Sequence, residues 1–107
     1  MEKEKTNIVL SPVSRKALAF IGRKVAILVI KTKVTESDRG YSLCLNSLNK
    51  KIKTEPAMTA QRLRAICLKR EKDLREIIDD KPNREKRLLP WQLGTQNALN
   101  DMLEHLA

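Results

Sequence analysis

The spacing of apolar positions changes along this chain, and the changes predict where helices give way to strands. Ile8, Val9 and Leu10 form a short apolar run that reads as a strand. Ser11 and Pro12 come next as a helix N-cap and first helical residue, since proline there loses no hydrogen bond that the helix needs. Val13, Ala17, Phe20 and Ile21 then share one helical face, and Gly22 suits a C-terminal stop. Residues 24–34 hold Val25, Ile27, Val29, Ile30 and Val34, all β-branched, which favours a strand. Its first half is apolar on both faces and its second half alternates with Lys31 and Lys33. Glu36-Ser37-Asp38-Arg39-Gly40 has turn chemistry, after which Tyr41, Leu43 and Leu45 alternate with Ser42, Cys44 and Asn46. Residues 24–34 and 41–46 are therefore expected to form a β-hairpin, with residues 49–53 as a basic connector.

A long helix is expected over residues 59–80, capped by Thr54 or Thr59 and ended by Pro82, which disfavours helix at the residue before it. Leu63, Ile66, Cys67, Leu74, Ile77 and Ile78 make its apolar stripe, interrupted by Arg70. Pairs of opposite charge four residues apart, such as Lys69 with Asp73 and Glu71 with Arg75, support it further. Residues 81–94 contain Pro82, Pro90 and Gly94 and read as an irregular connector. Thr95 can cap a last helix in which Leu99, Met102, Leu103 and Leu106 form an i, i+3, i+4, i+7 stripe. The expected fold is a small α+β domain, (β)αββαα, with the hairpin packed on the long helix and a C-terminal amphipathic helix. Residues 1–6 are expected to be a mobile start to this single domain.

Composition narrows the class without naming an activity. At 107 residues the chain has room for one modest core, and 41% hydrophobic against 33% charged residues suits a globular protein. Cys44 and Cys67 do not form a CxxC pair, and with one histidine, His105, no metal-ligand spacing appears. Two free thiols in or near the core are the expectation, and neither a cofactor nor a small-molecule substrate is indicated. The longest apolar run, residues 25–30, is far short of the roughly 20 residues a bilayer requires, so no membrane partner and a cytoplasmic location are expected.

Charge changes the picture more than size does. All 22 Lys and Arg residues precede Leu88, and the formal net charge is +9. Residues 1–35 carry eight basic against two acidic groups, residues 59–87 ten against six, and residues 88–107 none against two. A basic body attracts polyanions, because each phosphate neutralised by Lys or Arg releases a condensed counterion. Three basic patches are candidates for phosphate contact. They are Arg15, Lys16, Arg23 and Lys24 on the first helix; Lys31, Lys33, Lys50, Lys51 and Lys53 near the hairpin; and Arg62, Arg64, Lys69 and Arg70, with Arg84, Lys86 and Arg87 beyond the long helix.

Base-specific readout has less support than phosphate contact. One Phe, one Tyr and one Trp cannot furnish a base-stacking sheet, and no Gly-x-x-Gly clamp or zinc-finger spacing occurs. A helix-turn-helix over residues 13–34 would place Gly22 in its turn, but the β-branched residues after it argue against a second helix there. Catalysis is not expected either. His105 stands close to the C-terminal residue, Asp79 and Asp80 sit at a helix end, and Ser11 and Ser14 have no base nearby in sequence.

The segment after Leu88 holds the one tryptophan, Trp91, among Leu88, Leu89 and Leu93. The leading expectation is a non-enzymatic accessory or regulatory protein that docks on nucleic acid, DNA or RNA, through phosphate contacts. The alternative is an adaptor or inhibitor, of a nucleic-acid-processing enzyme for example, that contacts its partner through Trp91, Leu99, Met102, Leu103 and Leu106 while its positive charge matches an acidic surface on that partner. A homodimer through the same stripe is compatible with the pattern.

Overall fold

A computed structural model describes residues 10–80 and 88–107, and over these the protein is all-helical. Four helices occur in order: α1 (Pro12–Val29), α2 (Glu36–Thr54), α3 (Ala60–Asp79) and α4 (Pro90–Leu106). The expected α+β fold with its β-hairpin is therefore incorrect; no strand forms among the described residues. The strand expected at residues 8–10 falls largely outside them, as do residues 81–87 of the expected connector.

Three of the four helices begin at a residue whose side chain caps them. Ser11 Oγ accepts from the Ser14 backbone N–H at 3.1 Å, and Pro12 opens α1 as anticipated. Thr35 and Asp38 cap α2 reciprocally: Thr35 Oγ1 accepts from Asp38 N–H, and Asp38 Oδ2 accepts from Thr35 N–H, both at 3.1 Å. The acidic cluster read as a turn is thus a capping box, with Glu36 and Asp38 at the positive end of the helix dipole. Thr59 caps α3 through Arg62 N–H at 3.1 Å, in agreement with the long helix expected there. α4 starts at Pro90, five residues earlier than expected. The Gln92 side chain accepts from Leu89 N–H at 2.9 Å, and Thr95, rather than capping, donates its hydroxyl to Trp91 O at 3.0 Å.

Two errors of period explain the missing hairpin. α1 does not stop at Gly22 but continues to Val29, because β-branching lowers helix propensity by well under 1 kcal/mol per residue. Burial of Ser14, Ala17 and Ile21 at helical spacing outweighs that cost. In α2 the alternation of Tyr41, Leu43 and Leu45 is incidental. The buried positions are Gly40, Cys44, Leu45, Leu48 and Ile52, a helical series, and Leu43 points outward at 70% exposure.

The core gathers from all four helices. Ile21, Leu45, Leu48, Ile52, Leu63, Leu99 and Met102 are almost completely buried, with Ala17, Cys67 and Ala98 among them. Burying a side chain of the larger kind stabilises by about 1.5–3 kcal/mol. α1 and α2, joined by a short loop, run antiparallel: Ser11 at the start of α1 reaches the segment after α2. Its N–H donates to Pro56 O at 2.8 Å and its hydroxyl to Met58 O at 2.7 Å. Fully buried Ser14 adds a hydroxyl bond to Pro56 O at 3.3 Å. Arg64 at the start of α3 donates to Leu106 O at the end of α4, so these two helices are antiparallel as well.

α2 and α4 approach most closely, through two glycines. A Cβ built on Gly40 would collide with the Trp91 carbonyl, 2.7 Å from its carbon and nearer still to its oxygen. One built on Gly94 would collide with the Ser37 carbonyl in the same way, 2.8 Å from its carbon. Neither glycine has a positive φ, so the requirement is for space and not for an unusual backbone. Gly22, in contrast, has nothing within 4 Å of its would-be Cβ.

The three helical glycines should therefore respond to alanine with opposite signs. Gly22→Ala is expected to raise stability by about 0.5–1 kcal/mol, the helix-propensity difference. Gly40→Ala and Gly94→Ala are each expected to lower it by about 2 kcal/mol or more, because a backbone carbonyl cannot swing aside as a side-chain tip can. Urea midpoints for the three variants check this. A Gly40→Ala protein as stable as Gly22→Ala would mean that the helices do not meet there.

Candidate nucleic-acid interface

Many of the basic residues singled out in the sequence fall into two surroundings, while Lys31, paired with Asp38, and exposed Lys33 lie between α1 and α2. The first is the C-terminal end of α4. Phe20 of α1 stacks on His105 with ring centroids 4.5 Å apart and an interplanar angle of 23°, and Lys24 Nζ lies 5.6 Å from the Phe20 centroid. Lys16 and Arg23 approach the same imidazole. Partial burial, and then the charges of Arg23 and Lys16, hold His105 below the usual histidine pKa. Arg64 of α3 donates to Leu106 O at 3.2 Å. Lys16, Arg23 and Arg64 thus lie near the negative end of the α4 dipole, where cations are favoured, while Lys24, beside Phe20, also lines the cleft that holds Asp38 and Asp101. None of the four forms an ion pair with another described residue. Arg15, the neighbouring candidate on α1, is exposed.

The second is a groove of about 560 Å³ between α2 and α3, lined by Lys51, Arg62, Lys69, Arg70 and Asp73 among others. Its charges are mostly answered within the protein. Glu55 accepts from Arg62 Nε at 3.1 Å and Nη2 at 3.0 Å, and pairs with Lys51 Nζ at 3.1 Å. Hydrogen bonds from Arg62 and Lys51 bring the Glu55 carboxyl down to about 2. Lys69 Nζ lies 3.0 Å from Asp73 Oδ1. Lys50 and Lys53 are exposed on the last turns of α2. Arg84, Lys86 and Arg87, the remaining candidates, lie outside the described residues.

The expected protein-binding stripe turns inward. Leu99 and Met102 are fully buried in the chain's own core, and Leu103 and Leu106 pack half-buried against it. The segment after Leu88 thus completes this core. Trp91, by comparison, remains 46% exposed in the first turn of α4, with Leu89 and Leu93 exposed on either side.

Two further features were not apparent in the sequence. Tyr41 donates its hydroxyl to Asp101 Oδ2 across a cleft of about 570 Å³ where α1, α2 and α4 meet. Burial and that carboxylate push the Tyr41 pKa up, so the phenol stays a neutral donor that ties α2 to α4. The other is an apolar groove of about 370 Å³ between α1 and α2, lined by Val25, Leu28, Val29, Val34 and Leu43 with Asp38, Arg39 and Ser42. A signal for it existed: a helix whose last turns read Val25-Ala26-Ile27-Leu28-Val29-Ile30 is apolar all round and needs a cover on more than one side.

Cys44 and Cys67 are buried free thiols, as anticipated. Burial raises both, Cys67 to about 11, so they are poor nucleophiles at neutral pH. Among the described residues no group of three His, Cys, Asp or Glu side chains is placed to hold a metal, and no helix is long and apolar enough to cross a membrane. Comparison with protein-family models, with curated proteins and with solved structures gave no match.

Because His105 is harder to protonate folded than unfolded, its effect on stability has a fixed sign. It should be neutral above the unfolded value of 6.5, and stability should fall as pH drops below 6.5 until the folded-state pKa is passed. His105→Gln is expected to remove this slope. A separate loss should remain at lower pH, beginning near 4.5 and extending towards 2, where Glu55 gives up its pairs with Arg62 and Lys51. Urea midpoints from neutral to acid pH for both proteins check this. An unchanged slope around pH 6 in His105→Gln would exclude His105 as its source.

Proposed function

We propose that this is a small non-enzymatic accessory protein that docks on the phosphate backbone of nucleic acid. The observation that carries the reading is the gathering of Lys16, Arg23 and Arg64 around the end of α4, with Lys24 beside Phe20, none of the four in an ion pair with another described residue. A cation already held by a carboxylate must lose that partner before it meets a phosphate, so Lys51, Arg62 and Lys69 gain less from a polyanion than these four. Lys16 and Arg23 stand two helical turns apart, about 10 Å along α1, a spacing that can engage separate phosphates of one strand. Phosphate contacts of this kind position a protein without reading sequence. Docking would therefore recruit, shield or block by occupancy. Arg15 extends the same face, and Lys50 and Lys53 add to the long-range field.

The test is fluorescence anisotropy with mixed-sequence DNA and RNA at several salt concentrations. Affinity is expected to fall steeply with salt, with a logarithmic slope of about −0.9 per phosphate contacted on duplex DNA. Lys16→Glu with Arg23→Glu is expected to weaken binding at least about tenfold, equivalent to 1.4 kcal/mol. Lys51→Glu with Lys69→Glu should weaken it less. Circular dichroism of both variants controls for folding. Bound polyanion should also raise the His105 pKa, measured by NMR, since it offsets the Arg23 and Lys16 charges. Absence of binding to either nucleic acid at low salt would exclude the reading.

A further inference from the structure

The groove between α1 and α2 is separate from the basic end of α4 and has a different chemistry. Val25 and Leu28 form its floor, half-buried against the core side of α1. Val29, at 76% exposure, Val34, at 46%, and Leu43, at 70%, stand along its edges. Ile30, the C-cap of α1, is also exposed, at 79%, and Ile27, at 56%, lines the neighbouring cleft. Isolated exposed aliphatic residues are ordinary, but a contiguous set lining a concavity marks a place of contact.

Charge around the groove narrows the occupant. Residues 24–43 hold four cations, Lys24, Lys31, Lys33 and Arg39, against two anions, Glu36 and Asp38. Asp38 is taken by Lys31, whose Nζ lies 2.7 Å from Asp38 Oδ2, and that pair together with the Thr35 cap keeps the carboxylate ionised. Arg39 lines the groove and forms no ion pair with another described residue. An apolar trough with a basic surround therefore favours an acidic partner and disfavours a basic one. It also disfavours a second copy of this chain, which would bring the same cations face to face and carries a net charge of +9. The concave shape between two helices suits a third helix laid into it better than a flat lipid surface, with apolar anchors at i, i+3 or i+4, and i+7.

We infer that the α1–α2 groove binds the apolar face of an acidic amphipathic helix from a partner protein. Val25, Leu28 and Leu43 receive its apolar anchors, and Arg39 and Lys33 meet its carboxylates. This surface does not depend on the nucleic-acid reading, because the residues of the two sites do not overlap apart from Lys24, which is in neither test variant.

The probe is a displayed library of helical peptides with a fixed apolar stripe and randomised polar positions, selected against the full-length protein. The strongest enriched sequence is then synthesised with labels, alongside a version with its acidic residues changed to lysine and one with its periodicity scrambled. Enriched peptides are expected to be net acidic, and the lysine and scrambled versions to bind at least about tenfold more weakly. Leu43→Glu and Val29→Asp, both at exposed positions that leave the core intact, should each weaken binding by a similar factor. Arg23→Glu should leave it unchanged. Selection of basic or charge-neutral peptides, or failure to enrich any helical peptide, would overturn the inference. So would peptide binding that is indifferent to Leu43→Glu. Two other results would also overturn it by assigning the groove elsewhere. One is a concentration-dependent dimer in analytical ultracentrifugation that Leu43→Glu abolishes. The other is binding to vesicles of anionic phospholipid that Val29→Asp abolishes.

Discussion

The close approach of α2 and α4, with Gly40 against Trp91 and Gly94 against Ser37, sets the arrangement of everything else in this protein. Each glycine presents bare backbone to a carbonyl of the opposing helix, which lets α2 and α4 lie closer than side chains would permit. Cys44 and Ala98 stand one turn later on the two helices, both buried, so the small residues recur at a spacing of four. With that approach fixed, Leu45, Leu48, Leu99 and Met102 occupy one interior instead of two surfaces. α1 then closes one side, tied by Ser11 and Ser14 to the segment after α2, and α3 closes another with Leu63 and Cys67.

The parts of this fold legible in the sequence were those with a local physical signature. Ser11-Pro12 and Thr59 announced two helix starts, and the salt-bridged sequence of α3 announced a helix along nearly its whole length. The misleading segments were those whose chemistry serves two purposes. Thr35 to Asp38 has the residues of a turn and also those of a capping box, and the packing of residues 40–52 decides between them. The β-branched run before it favours a strand unless neighbouring helices supply the packing. Gly40 and Gly94 read as punctuation because a sequence does not show that each faces another backbone. Long-range contacts, not local preference, decided all three.

The candidate sites were legible to different degrees for the same reason. Basic residues could be counted, but which of them are already occupied depends on where Glu55 and Asp73 fall in space. Of the sixteen basic candidates, geometry brings Lys16 and Arg23 close to His105 and pairs Lys31, Lys51, Arg62 and Lys69 with carboxylates. It also moved the apolar surface: Leu99 and Met102, the cleanest stripe in the chain, are interior, whereas the run that suggested a buried strand includes the most exposed aliphatic residues in the described structure. An amphipathic pattern identifies a face that needs covering, without saying which molecule covers it.

The distance along the chain between Gly40 and Gly94 has a consequence for the order in which the protein forms. The α1–α2 pair is local and can assemble early, since its loop is short and its ends are held by Ser11 against Pro56 and Met58. It remains half a protein until α4 arrives from more than fifty positions away, because Leu45 and Leu48 have no lid before then. During that interval the pair is apolar on both sides, towards the absent α4 and at the groove facing outward. The outer side stays so after folding. A partner present while the chain folds would find that groove already formed, and its arrival need not wait for the rest of the core to close.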